Sequence, residues 1–504
     1  MDGRGRHNGA LCLSILAYNF LASSIIVGGV GLVEVTDDAD VSDVSRDVDG
    51  TLELSLGAFC AGTVLSWTSP ALPYILENVR NGSNLTSLAN NVTTPPGFLI
   101  SEHKAAIVGS MLTIGALMSA IPIGYAADKF GRKPTILGLS LPFFLNYILI
   151  TFAKNLETII AARFFAGIGL GGICVVAPMY IGEISEPSNR GTLGSFVQLF
   201  LSSGILFTSI VATFTNWTSL SLTLAAAPVV FGVSFLFMPD TPVYLIENNK
   251  MEKAEKTLKT FRGSNYDVSR ELKTIQKEME KLHQKTVTIR TIVTNKGNLR
   301  AIISVLGVLA FQQLSGINAM VFYTTNIFHA AGTNIAPNLA AIIVNLVQVI
   351  VSYISILIIE KAGRKYYLMV SSVGMLSCLA GLGMFFQLKS TGVDVSHLGF
   401  MPLGSLVLYM VSFSIGYGPV PWMLISELFS PDIKGVASGL AILANWIFAF
   451  VVTFSFPIMR AALGGHVTFY IFALIMGCAT LFVYFIVPET RGKSLIEIQE
   501  ELNR

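Results

Sequence analysis

Charged side chains recur in one short pattern at two places in the chain, and their types could form ion pairs. The run Gly-Tyr-Ala-Ala-Asp-Lys-Phe-Gly-Arg-Lys ends at Arg132 and Lys133, and a shorter version, Glu-Lys-Ala-Gly-Arg-Lys, ends at Arg364 and Lys365. An arginine guanidinium presents a planar fork of donors that suits a carboxylate. The repeat indicates equivalent charge pairs in two halves of a duplicated chain.

Two further matches follow in the same order. They are Glu183 with Arg190 against Glu427 with Lys434, and the tripeptide Pro-Asp-Thr against Pro-Glu-Thr. Because the copies keep both their order and their charge type, the sequence predicts two halves of similar structure.

Uncharged polar side chains occur inside long apolar stretches. An amide both donates and accepts hydrogen bonds without carrying charge, and an indole donates one. A single amide in a membrane helix serves contact between helices at least as often as ligand binding. The candidates are Gln198, Gln312, Gln313, Asn318, Asn345, Asn445, Trp422 and Trp446.

Catalytic patterns do not occur in these apolar stretches. We find there no nucleophile beside a base, no paired carboxylates and no metal-ligand cluster. The five cysteines form no C-x-x-C pair, so neither a disulfide framework nor a zinc site is indicated. The sequence therefore predicts a protein that is not an enzyme and uses no cofactor or metal.

Composition places most of the chain in lipid. Hydrophobic residues make up 52% of the 504 residues and charged residues 13%, too few to cover a water-soluble protein of this size. The net charge of +2 gives no reason to expect a nucleic-acid partner.

Twelve stretches have the roughly 20 apolar residues that a helix needs to cross a bilayer. They are Leu54–Ile75, Ala105–Tyr125, Thr135–Ala153, Ile159–Tyr180, Leu193–Phe214, Leu220–Met238, Ile302–Phe328, Ala336–Ile359, Tyr367–Phe386, Leu403–Ile425, Val436–Pro457 and Val467–Val487.

The connections between these stretches predict the orientation. Basic residues follow the second, sixth and eighth stretches, and such connections stay in the cytoplasm. The connection after the first stretch carries sequons at Asn81, Asn84 and Asn91, which only a lumenal enzyme can glycosylate. We therefore predict a multi-pass plasma-membrane glycoprotein whose transmembrane core has both ends in the cytoplasm.

The polar segments suggest a division of the chain. The Glu/Lys-rich stretch Met251–His283 has charges at helical spacing and predicts cytoplasmic surface helices. We expect a first bundle of six helices at 51–238, linker helices at 239–299, a second bundle at 300–487 and a cytoplasmic tail at 488–504. Residues 1–50 form an extension of uncertain role.

Within that extension, Ala10–Val33 is apolar and long enough to cross the bilayer, which would invert the predicted orientation. A cleaved or interfacial leader, an extra helix that begins outside, and an incorrectly assigned start codon all stay open. The acidic run Glu34–Asp49 predicts disorder.

Taken together, these ordered motifs resemble the sugar porters of the major facilitator superfamily, and among them the facilitative glucose transporters and the facilitated trehalose transporters of insects. The similarity covers roughly Leu54–Asn503. It implies an all-α membrane protein with twelve transmembrane helices in two halves. It further implies alternating access for a neutral sugar, with the lipid bilayer as surroundings and the monomer as functional unit.

The resemblance implies a cytoplasmic latch of acidic and basic side chains at the helix ends. One cluster is Arg132, Glu183 and Arg190, and the other is Arg364, Glu427 and Lys434. An isolated basic residue would be explained by topology alone, but the repeated clusters favour a latch. Lysine at 434 replaces the usual arginine and lacks its fork, which predicts a looser second cluster.

The eight amide and indole residues named above stand where the family binds sugar, so the resemblance makes them substrate ligands. Two positions depart from the pattern. Ser414 replaces a glutamate that is common in glucose transporters, and Ala449 replaces an asparagine. These shorter side chains predict a roomier pocket, suited to a disaccharide or another hexose face.

Gate residues follow from the same resemblance and from backbone chemistry. Phe322 and Tyr323 stand where the family's outer gate closes, although two aromatic residues near an interface also fit a membrane belt. Glycines and prolines should break the tenth helix, either as a flexible gate or as a static kink. These residues are Gly416, Gly418, Pro419 and Pro421.

Facilitated diffusion is favoured over proton coupling. Coupling needs a titratable group in the membrane, and the twelve stretches hold no Asp, Glu, Lys or His, with Arg163 their only charge. Proton-linked members of the family carry an aspartate where Thr68 stands here. The alternatives are a proton-coupled sugar symporter and a non-transporting sugar sensor, which would be expected to have a long cytoplasmic tail.

Overall fold

The computed structural model describes residues 41–76, 100–185, 190–262, 267–283, 295–332, 335–359, 361–429, 433–493 and 495–503. The three predicted glycosylation sites, Asn81, Asn84 and Asn91, and the apolar stretch Ala10–Val33 lie outside these ranges.

Almost all of the described chain is helical. The α-helices are α1 Val41–Ser66, α2 Thr68–Ile75, α3 Glu102–Phe130, α4 Arg132–Thr151, α5 Leu156–Ile184, α6 Arg190–Phe214, α7 Trp217–Leu224, α8 Ala226–Phe235, α9 Pro242–Glu247, α10 Met251–Arg262, α11 Val268–His283, α12 Lys296–Leu314, α13 Ile317–Ala331, α14 Pro337–Ile358, α15 Arg364–Ser390, α16 Met401–Ile415, α17 Val420–Leu428, α18 Lys434–Phe485 and α19 Leu495–Asn503.

Ten helical segments in the described ranges are long and apolar enough to cross a bilayer. The first predicted stretch falls on α1 and α2, outside that set, and the last two predicted stretches share α18. Inside α18, Gly464 has φ 81° and ψ 161°, so two helices meet at this residue. Each of the twelve predicted stretches therefore lies mainly on helix.

The acidic run before the first predicted stretch differs from expectation. Disorder was predicted for Glu34–Asp49, but α1 already begins at Val41. That prediction is wrong for 41–49. Acidic residues are also common in the first turns of helices, so an acidic composition does not exclude a helix.

The described chain divides into two compact units. The first draws on Met1–Val64, Met118–Phe152 and Phe165–Thr286. In it, α4 packs against α7 and α8. Tyr147 on α4 donates a 2.8 Å hydrogen bond from Oη to Thr63 Oγ1 on α1, and both side chains are fully buried.

Glycines allow α1 and α6 to touch through their backbones. A β-carbon at Gly62 would overlap the carbonyl oxygen of Leu201, and one at Gly204 would overlap that of Phe59. Small residues of this kind let membrane helices approach closely and gain van der Waals contact. The contact fixes α1 against α6 within the first unit.

Replacing Gly204 by alanine is expected to destabilise the protein by about 1–3 kcal/mol, because an overlap with backbone cannot be relieved by a rotamer change. Thermal unfolding of the detergent-solubilised protein measures the loss. Gly194→Ala on the same helix is the matched control, because a β-carbon there meets nothing within 4 Å. Equal unfolding temperatures for the two variants would contradict the packing argument.

The Glu/Lys-rich segment forms helices, as predicted. In α10 and α11 the apolar residues Ala254, Leu272 and Ile275 pack with Leu245 and Ile246 of α9. Arg262 holds this group to α5, donating from Nη1 to the carbonyl of Ile184 at 2.8 Å.

The second unit draws on Leu65–Leu117, Ala153–Phe164 and Val287–Arg504. In it, α15 packs against α16 and α18, α12 packs against α18, and α14 packs against α16. The polar face of α14 is turned inward: Asn345 and Gln348 are 4% and 2% exposed, whereas Leu346 and Ile350 are 45% and 49% exposed. Apolar side chains outside and amides inside are the arrangement expected of a helix in lipid.

Candidate functional site

Four of the predicted amides form one hydrogen-bonded chain in the second unit. Gln313 Nε2 donates to Asn445 Oδ1 at 2.8 Å and to Gln312 Oε1 at 3.3 Å. Asn318 Nδ2 donates to Gln313 Oε1 at 2.6 Å. The backbone is interrupted between α12 and α13 at Gly316, where φ is 86°, and Asn318 lies just after this interruption, within hydrogen-bond distance of Gln313.

The same network supports the break in the tenth predicted stretch. Here α16 ends at Ile415 and α17 begins at Val420, so the helix is interrupted where its glycines and prolines predict. Backbone carbonyls at the break have no helical partner, and Gln312 Nε2 donates to those of Tyr417 at 2.5 Å and Gly418 at 3.3 Å. This satisfies buried oxygens that would otherwise destabilise the break.

The remaining predicted ligands are placed differently. Trp446 is 5% exposed, and its Nε1 has no partner in the described part of the chain. Asn345 is buried on α14, while Trp422 on α17 is only half-buried. Gln198 belongs to the first unit, where its Nε2 donates to Ser202 Oγ at 3.4 Å.

Phe322 and Tyr323 are buried on α13, at 0% and 2% exposure. Tyr323 departs from helical geometry, with φ −122° and ψ 15°. Its Oη donates to the carbonyl of Thr453 at 3.3 Å, and its ring centroid lies 5.3 Å from that of Phe456. Burial shows that neither residue forms part of an exposed aromatic belt.

The predicted latch contains two ion pairs of nearly equal geometry. Arg132 donates to Glu183 Oε1 from Nε at 3.0 Å and from Nη2 at 2.7 Å. Arg364 donates to Glu427 Oε1 from Nε at 3.2 Å and from Nη2 at 3.1 Å. In each pair both nitrogens converge on one oxygen, so the expected fork on two oxygens does not form. The side chains of Arg190 and Lys434, which begin α6 and α18, lie outside the described residues.

Each pair is supported by a second carboxylate, which the sequence did not assign. Asp240 Oδ1 accepts from the backbone N–H of Arg132 at 3.0 Å, and Glu489 Oε1 accepts from that of Arg364 at 2.8 Å. Both carboxylates meet the free N–H groups at the start of a helix, where negative charge is favoured. The repeated tripeptides Pro-Asp-Thr and Pro-Glu-Thr therefore supply helix caps.

The intramembrane arginine is fully buried in the second unit. Arg163 donates from Nη2 to Thr68 Oγ1 at 3.1 Å, and its guanidinium carbon lies 5.4 Å from the ring centroid of Trp67. No cluster of three or more metal-ligating side chains occurs among the residues that the structure describes.

Comparison with known proteins gives the family. A model of the family described as "Sugar (and other) transporter" matches residues 71–502, most of the chain. The chain belongs to this sugar transporter family. It is thus a multi-pass membrane protein, in agreement with its apolar helices.

Two relatives in this family come from fruit flies. The chain is 37% identical over 454 residues to the facilitated trehalose transporter Tret1-1 of Drosophila sechellia, covering 90% of this chain and 51% of that one. It is 36% identical over 454 residues to trehalose transporter 1 of Drosophila melanogaster, with the same shares of 90% and 51%. The chain therefore spans about half the length of these relatives.

Solved structures of transporters share the fold. The proton:xylose symporter XylE of the major facilitator superfamily, bound to 6-bromo-6-deoxy-D-glucose, superposes with a TM-score of 0.72 at 24% identity, covering 91% of this chain and 100% of that one. The human organic anion transporter MFSD10 gives 0.58 at 13% identity, covering 87% and 99%. The all-α major facilitator fold predicted from the sequence is confirmed.

Gln348 is a further buried amide in this sugar transporter, and it was not among the candidates predicted from the sequence. It lies three residues after Asn345 on the same face of α14, is 2% exposed, and its Oε1 has no partner among the described residues. Ser414 Oγ and Tyr417 Oη are likewise buried without a partner there. The helical spacing of Gln348 from Asn345 was the available signal.

Proposed function

We propose that this chain is a facilitative carrier of a neutral sugar, trehalose or a hexose such as glucose, that works by alternating access. The observation that carries the proposal is the buried chain of uncharged amides at a helix break in the second unit. A hydroxyl leaves water only where donors and acceptors replace it, and the C–H face of a sugar stacks on rings. Amides provide hydrogen-bond donors and acceptors, and indoles provide a donor and a ring, without charge.

We further propose that the predicted ligands hold the sugar and that Gln348 joins them. Those in the second unit are Gln312, Gln313, Asn318, Asn345, Trp422, Asn445 and Trp446, and Gln198 contributes from the first. Unpartnered atoms such as Gln348 Oε1 and Trp446 Nε1 are suited to sugar hydroxyls, because a buried polar group without a partner costs free energy until one is supplied.

The same proposal assigns the residues that move during transport. Phe322 and Tyr323 act as an outer gate, and Gly416, Gly418, Pro419 and Pro421 let the tenth span bend. The paired Arg132–Glu183 and Arg364–Glu427 clusters act in the cytoplasmic latch together with Arg190 and Lys434. Support comes from the non-helical backbone at Tyr323 and Gly416, since such breaks in membranes occur beside cavities or within protein.

The proposed topology follows the sequence. We place the chain in the plasma membrane, with the ends of its transmembrane core in the cytoplasm and glycans on Asn81, Asn84 and Asn91. Residues 51–238 and 300–487 form the two bundles, 239–299 the linker and 488–504 the tail, and one copy is the functional unit.

Proton-coupled symport is the second candidate, because XylE, which shares the fold, is a proton:xylose symporter. Two observations favour facilitated transport. The fly relative is named a facilitated trehalose transporter. The side chain beside Arg163 is Thr68, whose hydroxyl does not titrate at physiological pH.

Uptake of radiolabelled trehalose, glucose and fructose into cells that express the full chain tests the proposal. We expect saturable uptake of at least one of these sugars that a protonophore leaves unchanged, with no change in external pH. An organic anion serves as the control solute and should not enter. Loss of uptake with the protonophore, or sugar-induced alkalinisation of the medium, would establish symport instead.

A further inference from the structure

An ion pair joins α3 and α18 at the end of the second unit that lies away from the latch. Arg460 Nη2 and Glu102 Oε1 are 3.1 Å apart, and both side chains are 21% exposed. Arg460 lies 26 residues after Lys434, the predicted latch residue that begins α18. At 1.5 Å per residue, about 39 Å of this helix separates the two positions.

Further contacts accompany this pair within the same unit. Ser69 Oγ lies 3.0 Å from Thr325 Oγ1 and accepts from the backbone N–H of Thr325 at 3.2 Å, which joins α2 to α13. The rings of His103 and Phe454 form a T-shaped contact, with centroids 6.1 Å apart. Each contact links an element from the first half of the sequence to one from the second.

Tyr323, a residue of the proposed outer gate, also contacts α3. A β-carbon at Gly109 on α3 would lie 2.5 Å from Tyr323 Oη, so a glycine is what gives the hydroxyl room. The close approach of α3 to Tyr323 therefore depends on a glycine at position 109. Any separation of α3 from α13 and α18 breaks the ion pair and the contact of Gly109 with Tyr323 together.

We propose that Glu102–Arg460 is a lock at the outer end of the carrier, which holds α3 to α18 while the outer gate is shut and opens when the site is exposed to the outside. The assignment of this end as outer rests on the proposed function. The pair is partly exposed, and ion pairs of that kind are weak and easily broken. This pair can therefore break in every transport cycle.

A cysteine reporter tests the lock. Asn326 is 4% exposed and follows Thr325 on α13, so Asn326→Cys should react slowly with a membrane-impermeant maleimide while the gate is shut. We expect Glu102→Gln and Arg460→Ala each to raise the labelling rate about twofold to fivefold, in keeping with a partly exposed pair. The reversed pair, Glu102→Arg with Arg460→Glu, should restore slow labelling.

Two controls accompany the measurement. Lys493→Ala removes another surface ion pair, with Glu501, and should leave labelling unchanged. Val393→Cys, which is 50% exposed on a predicted outer loop, should label fully in intact cells and so establish which side the reagent reaches.

The outcomes separate the lock from the transport proposal, because labelling is measured without sugar. Wild-type labelling rates in both single variants, or fast labelling in the reversed pair, would overturn the lock even if sugar uptake is normal. Faster labelling in the single variants of a chain that carries none of the tested sugars would keep the lock and remove the proposed substrate.

Discussion

Replacing Gln312 by alanine is expected to lower the initial rate of sugar uptake at least about tenfold while the protein still reaches the cell surface. The amide donates to the carbonyls of Tyr417 and Gly418 and accepts from Gln313. Its removal leaves buried groups unpaired at the helix break, at about 1–3 kcal/mol for each, and about 1.4 kcal/mol corresponds to a tenfold change.

Radiolabelled uptake, normalised to surface biotinylation, measures this effect. Gln387→Ala is the matched control, because Gln387 is an exposed amide that accepts from Tyr470 Oη at 2.7 Å and lies outside the network. Undiminished uptake in Gln312→Ala would remove Gln312 from the sugar site, and an equal loss in both variants would indicate a general effect on the fold.

Replacing Arg364 by alanine is expected to destabilise the protein by about 3 kcal/mol, the lower end of the range for breaking a buried ion pair, because Glu427 keeps some exposure. The guanidinium also donates from Nη1 to the carbonyl of Ile359 at 3.4 Å. Arg132→Ala should give a similar loss, since its contacts repeat the same geometry. Thermal unfolding in detergent measures both.

Lysine variants refine that test. Arg364→Lys keeps the charge but cannot place two donors on Glu427, so we expect it to recover only part of the stability. Lys361→Ala removes an exposed positive charge from the same connection and should have little effect. If Arg364→Ala unfolds at the wild-type temperature, the ion pair contributes nothing to the folded state.

The fold could be predicted from the sequence because lipid leaves few choices. A segment in the bilayer must pair its own backbone, so apolar length alone located the helices. The break after Ile415 was predicted for a similar reason, since proline and glycine have strong local effects. The start of α1 was not predicted, because an acidic composition is typical both of disordered segments and of helix N-termini.

The candidate site was only partly predictable. The duplicated motif indicated charged positions at Arg132 and Arg364. It did not indicate that two nitrogens of each guanidinium would bind one carboxylate oxygen. The caps from Asp240 and Glu489 depend on chain segments more than a hundred residues away. The pair of Glu102 with Arg460 spans 358 residues, and no local pattern could have matched these partners. Such contacts follow from tertiary packing.

The amide chain from Asn318 through Gln313 to Asn445 is already hydrogen-bonded internally. A sugar hydroxyl that binds to these amides replaces one hydrogen bond by another, and such an exchange adds little net free energy. We therefore expect loose, short-lived occupancy, with half-saturation only at high solute levels. The proposed carrier has to release its sugar on every turnover, and weak affinity favours that release.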